Sequence, residues 1–160
     1  MKYWDWLEQF HQKIYSKYPN GQEGLKAVHL IRSFFEQIGI EKLSKNHPLN
    51  NRLGIGMLQN YSWLVQYAQK LITASQLSGF EGVARRFSTP TEYIAANAEI
   101  ETALKLHLGG LDVSFSKEEI KQTICDLNVK IGGEVVRIEV SSLNPPDEEM
   151  RIEALQRHIP

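Results

Sequence analysis

The sequence predicts an α+β chain with a helical N-terminal half, on three observations. Apolar residues recur at three- and four-residue spacing through roughly the first ninety residues, the periodicity of helices with one buried face. A long helical segment follows, bounded by Pro90 and by Gly109-Gly110. The pattern then switches to alternation on either side of Gly132-Gly133, as in a β-hairpin. From residue 89 onward the order is helix, strand, strand, strand, helix. This divides the chain into a helical region, 1–88, and an α/β core, 89–160, which a shared core would join into one globular unit.

The first helix is read from Trp4, Leu7, Phe10, His11, Ile14 and Tyr18 and ends at Pro19-Asn20-Gly21. Leu25, Val28, His29, Ile31, Arg32, Phe35 and Ile38 predict a second helix closed by Gly39. Residues 44–56, rich in Asn, Pro and Gly, read as a loop. A third helix is expected from Met57 to about Leu77, and a short one from Phe80 to Phe87. Pro90, preceded by Ser88 and Thr89, fits the first turn of the next helix. A short strand is expected over 111–116, a polar connection over 117–122, and hairpin strands over 124–131 and 134–142. Asn144-Pro145-Pro146 breaks the chain, and Asp147 begins a final helix with Met150, Ile152, Leu155 and Ile159.

The hairpin carries the most chemistry. With Gly132-Gly133 at its tip, residues whose numbers sum to 265 face one another, and Asp126 falls opposite Glu139. Cross-strand neighbours have Cβ atoms about 4.5–5.5 Å apart, so two carboxylates placed this way need a cation or a proton between them. The same register puts Cys125, Leu127, Val129, Ile131, Val136, Ile138 and Val140 on a core face. It puts Asp126, Asn128, Lys130, Arg137, Glu139 and Ser141 on a polar one. Two occupants of the Asp126–Glu139 gap are open. One is a divalent metal; the other is the Arg137 guanidinium, whose planar fork suits two carboxylates. A third outcome is a solvated polar face with no special role.

Composition narrows the classes. The 160 residues are 42% apolar with a net charge of −1 and a pI near 6.5, enough for one core and without the basic footprint of a strong nucleic-acid binder. Arg85-Arg86 is the densest basic spot in the helical half, either a solvated helix end or a phosphate contact. Cys125, the single cysteine, reads as a buried structural thiol. His11 and His29 lie on apolar faces without neighbours at metal-ligand spacing. Trp4, Trp6 and Trp63 are expected to pack between helices, with base stacking as the rival role. No signal peptide and no run of about eighteen apolar residues is present, so the expectation is a soluble cytoplasmic protein with no membrane role.

Residues 97–143 resemble the PD-(D/E)XK nuclease superfamily. Glu99, Ala103 and Gly110 match that family's helical glutamate, alanine and glycine, and Asp112-Val113-Ser114-Phe115 stands as the strand after them. Cys125-Asp126 holds the "PD" position without the proline. Glu139-Val140-Ser141 holds the "(D/E)XK" position with serine in place of lysine. The resemblance implies a restriction-endonuclease-like core, Mg²⁺ or Mn²⁺ bound by Asp126, Glu139 and the Val140 carbonyl, and hydrolysis of DNA. Glu99, Asp126, Glu139 and Ser141 would be the catalytic set, with Glu101 a rival to Glu99. Lys105 and Lys130 are poor substitutes for the lysine. Lys105 points to another side of its helix, and Lys130 lies ~13 Å along the strand from Asp126. The family core continues to a fourth strand that is not visible before Pro160, which predicts an open sheet edge covered by a second copy or a partner protein. The alternative function is a catalytically inactive relative that binds nucleic acid or protein. An unrelated α+β regulatory domain is the third, and would require Glu99 to lie far from Asp126.

Overall fold

The computed structural model describes residues 2–19, 21–54, 61–116 and 125–141. Six α-helices precede a three-stranded antiparallel sheet among these residues: α1 (Tyr3–Tyr15), α2 (Gly21–Gln37), α3 (Pro48–Leu53), α4 (Tyr61–Ser75), α5 (Phe80–Arg85), a 3-10 turn (Arg86–Ser88), α6 (Pro90–Leu108), then β1 (Asp112–Phe115), β2 (Leu127–Ile131) and β3 (Glu134–Ile138). The class is α+β and mostly helical. The polar connection over 117–122, the hairpin positions 124 and 142, the start of the third helix at Met57 and the final helix from Asp147 lie outside the described residues.

Each helix buries the stripe its sequence spells. Trp4, Leu7, His11 and Tyr15 form the inward face of α1, and Leu25, Val28, Ile31 and Phe35 that of α2. α2 packs between α1 and α4, while α6 packs on the 3-10 turn and on β1. A single cluster of buried apolar side chains runs from Trp4 through Phe35, Phe87 and Ile100 to Phe115 and Val129. No helix among the described residues is long and apolar enough to cross a membrane.

α6 spans the predicted segment. Pro90 occupies its first turn, where a missing N–H costs nothing. Gly110, at φ +86°, turns the chain out of the helix so that Leu111 N–H reaches the Leu106 carbonyl at 3.2 Å. The hairpin register is the expected one from Leu127–Ile138 to Ile131–Glu134. Gly132 and Gly133 both take positive φ, as a primed two-residue turn requires. β1 pairs with β2, so the sheet order is β1-β2-β3, and among the described residues β3 is an edge strand.

Several expectations are corrected. The loop over 44–56 contains α3, because His47 caps it: the ring Nδ1 accepts Leu49 N–H at 3.2 Å and Pro48 opens the first turn. The apolar hairpin face is buried only near its base. Leu127 and Val129 are buried in the core cluster, whereas Ile131 and Val136 are exposed. Trp6 is half exposed and stacks on Phe10 instead of packing between helices. His29 is a surface residue paired with Glu8 at 2.7 Å, while His11 is fully buried with Nε2 at 2.8 Å from the Leu53 carbonyl.

Candidate functional site: a carboxylate pair at the hairpin base

Glu99 owes its position to helical periodicity. It sits in the inward stripe Ala96, Glu99, Ile100, Ala103, Leu104 of α6, and at 3% exposure it is the buried acid among the described residues. A buried carboxylate needs a counter-charge. Arg86, on the 3-10 turn thirteen residues earlier, supplies it, with Nη2 donating to Glu99 Oε2. The turn is fixed beneath by buried Phe87, whose carbonyl lies 2.8 Å from His47 Nε2.

Asp126 is anchored three times. Its carbonyl accepts Ser116 N–H at 2.9 Å, and its own N–H donates to the Ile138 carbonyl at 2.9 Å. Its Oδ2 accepts Val140 N–H at 2.7 Å. The side chain thus takes the place of a ladder carbonyl just beyond the last regular pair. Burial pushes the Glu99 carboxyl above the usual carboxylate range; Arg86 opposes the shift, and the charge of Asp126 adds to it. The two carboxylates, 27 positions apart in sequence, thus act on each other electrostatically.

The Asp126–Glu139 pairing is not realised. The regular ladder stops at Leu127–Ile138, and Asp126 bonds to Ile138 and Val140 on either side of Glu139. Two like charges directly opposite would repel, and the bend at Asp126 removes that opposition. Glu139 and Ser141 are exposed. Arg137 is exposed too, and among the described residues it pairs with neither carboxylate; Arg86 is the resident cation instead. Cys125 leaves the core face at the same bend. It is half-buried, with Sγ 3.4 Å from Ser116 Oγ and 3.8 Å from Asn128 Oδ1.

The rival positions are otherwise engaged. Glu101 accepts from Lys70 Nζ at 3.1 Å, and Lys70 also reaches Asn97 Oδ1 at 2.7 Å. Lys130 pairs with Asp112 at 3.2 Å, and Lys105 is exposed. The sequence marks Arg85-Arg86 as a basic spot but carries no local sign of its link to Glu99. The link depends on how the 3-10 turn folds back onto α6, which no local pattern encodes.

Among the described residues no three His, Cys, Asp or Glu side chains gather as a metal cage. Glu99 and Asp126 nevertheless offer hard carboxylate oxygens in the number that magnesium usually draws from protein, its remaining ligands being water. The pair carries two negative charges against one guanidinium.

Compared with models of protein families, with curated proteins and with solved structures, the chain finds no match in any of the three.

Proposed function

We propose that this protein is a divergent nuclease of the PD-(D/E)XK type, acting on DNA phosphodiester bonds with Mg²⁺ or Mn²⁺ as cofactor. The observation that supports the proposal is that α6, which carries Glu99, packs on β1, that Ser116 just after β1 bonds Asp126 at the base of the hairpin, and that the Asp126 charge acts on Glu99. Asp126 and Glu99 would hold the metal, with Glu139, just past β3, as a further oxygen source. When bound, such an ion lowers the pKa of water and offsets charge on the phosphate. The chain's own contribution is position. Three backbone hydrogen bonds fix Asp126, and the apolar stripe of α6 fixes Glu99. Ser141, in place of the family's lysine, offers a hydroxyl without positive charge.

That substitution, together with the neutralisation of Glu99 by Arg86, favours a second reading: a nuclease-fold protein that binds nucleic acid or a protein partner without turnover. Incubating the protein with supercoiled and linear DNA over a range of Mn²⁺ concentrations separates the two. Asp126→Asn is the informative control, because an amide oxygen can still accept Val140 N–H while the charge is gone. Cleavage that falls at least ~100-fold in Asp126→Asn and Glu99→Gln supports the nuclease reading, since such a loss is typical when a group acting on the reacting centre is removed. Wild-type turnover no faster than that of Asp126→Asn supports the binding module.

A further inference from the structure

The outward side of α1 segregates its charges. At about 100° per residue, Trp6, Gln9, Phe10 and Lys13 share one arc of roughly 100°. Lys2 stands at the N-cap before that arc and Lys17 in the turn after it. The acids of α1 lie on another flank, toward α2. There Arg32 Nη1 is 3.0 Å from Asp5 Oδ1 and 2.8 Å from Glu8 Oε2, and His29 Nδ1 is 2.7 Å from Glu8 Oε1. At the N-terminal end Lys2 shares a hollow with Glu36, Glu41 and Lys42. At the other end Lys13 and Lys17 are exposed, and among the described residues neither forms an ion pair. Aromatic rings lie between the two ends. Trp6 is 45% exposed and stacks on Phe10 with centroids 5.5 Å apart and planes within 16°, and Tyr3 stands 6.4 Å from Trp6. The other two tryptophans are engaged: Trp4 is buried and donates to the Ile40 carbonyl at 3.0 Å, and Trp63 stacks on Tyr67.

From this arrangement we infer that the outward face of α1 binds single-stranded nucleic acid, with Trp6, backed by Phe10, as a base-stacking platform and Lys13 and Lys17 as phosphate contacts. Every base has an aromatic face, so stacking asks for no particular sequence, and a strand brings its own anionic backbone to the lysines. A duplex hides its base faces within its own stack, so the single strand is the form that the ring selects. A ring already held by a neighbour loses little freedom when a base settles on it. The net charge of −1 does not oppose binding. At ~0.1 M salt exposed charges act over about 10 Å, and the acids of α1 are drawn to the α2 side. A membrane is the poorer match, because an interfacial helix sinks a broad apolar face into lipid. This arc offers Trp6 and the half-buried Phe10 among polar residues. The inference does not rest on the carboxylate pair at the hairpin base.

The test measures anisotropy of a short fluorescent thymidine strand with the full chain in EDTA, so that no metal site takes part. The wild type is expected to bind the strand, more weakly as salt rises, with tryptophan emission quenched as a base stacks. Trp6→Ala is expected to bind roughly 5- to 150-fold more weakly, the range for one lost base–aromatic stack, and Trp6→Phe to recover part of the loss. Lys13→Gln should lower the slope of log affinity against log salt by about 0.7, the share of one phosphate on a single strand. Trp6→Ala should leave that slope as it is. Lys105→Gln, the same change at an exposed position of α6, should leave both affinity and slope at the wild-type values. Wild-type affinity in Trp6→Ala overturns the inference, as does a drop in slope in Lys105→Gln equal to that in Lys13→Gln. Should Trp6→Ala not fold, an unchanged slope in Lys13→Gln overturns it instead. Absence of strand binding by the wild type at ~20 mM salt, where phosphate contacts are strongest, also overturns it. Binding to vesicles of phosphatidylserine and phosphatidylcholine in place of the strand, lost in Trp6→Ala, would assign the face to an anionic lipid surface.

Discussion

Replacing Arg86 by methionine strips Glu99 of its counter-charge while keeping a long apolar stem on the 3-10 turn. Breaking a buried ion pair by removing one partner costs about 3–5 kcal/mol, because the other charge is left uncompensated. Glu99 is 4% exposed at its side chain but Arg86 is 28% exposed, so water reaches part of the pair. The expected loss is therefore at or just below the bottom of that range, about 2–3 kcal/mol. In a chain of 160 residues that lowers Tm by roughly 4–12 °C. The sign with pH follows from the carboxyl. Burial already raises its pKa in the folded protein, and losing Arg86 raises it further. The folded variant therefore holds a proton that the unfolded chain releases above about pH 4.3, and its stability falls as pH rises through that window. Urea unfolding of wild type and Arg86→Met at about pH 7.5 should show the full deficit, and at about pH 4.5 most of it should vanish. Adding Glu99→Gln should restore the greater part at neutral pH, since a neutral amide needs no counter-charge. An equal deficit at both pH values, or no recovery in the double variant, would show that Arg86 acts through packing and refute the electrostatic reasoning.

Other consequences can be checked independently. His47 accepts Leu49 N–H at Nδ1 and contacts the Phe87 carbonyl through Nε2, so it must stay neutral; burial lowers its pKa, and the Phe87 bond opposes that only in part. Its contribution to stability is present above about pH 6.5 and is lost as pH falls from there through the lowered folded value. The urea midpoint should therefore drop across that window, and less steeply in His47→Asn. Gly79 has φ +83°, and a Cβ there would overlap the Phe115 carbonyl at the end of β1. Gly79→Ala should cost about 2–3 kcal/mol by chemical denaturation, and a loss under ~0.5 kcal/mol would contradict the close approach. Ile131, Val135 and Val136 are exposed at β3 and its turn, the edge of the sheet among the described residues. Self-association through that edge predicts a scattering mass above that of one chain at micromolar concentration, returning to one chain in Val135→Lys.

The local geometry was legible wherever short-range chemistry decides it. The Gly132-Gly133 turn and its flanking alternation specify every observed β2–β3 pair, and Pro90 with Gly109-Gly110 specifies the limits of α6. Periodicity also placed Glu99 on a helix before the sheet. What was not legible depends on contacts distant in sequence. α3 hides in a segment rich in Asn, Pro and Gly because its cap is a histidine whose other nitrogen is held by Phe87, forty residues away. Arg137 looked like the natural cation by ladder geometry, yet Asp126 turns to the Val140 amide and the guanidinium that compensates the site comes from the 3-10 turn. Exposure of the hairpin tip likewise depends on what packs against it, which alternation along a strand does not encode.

The most direct test of the central claim is calorimetric titration of Mn²⁺ into the wild type and into Asp126→Asn, whose amide keeps the Val140 contact. The account predicts saturable binding to the wild type that the single neutralised carboxylate removes, with thermal unfolding showing both proteins folded. No binding to the wild type, or equal binding to both, would contradict a metal site at the base of the hairpin and leave Arg86 as the counter-charge of Glu99.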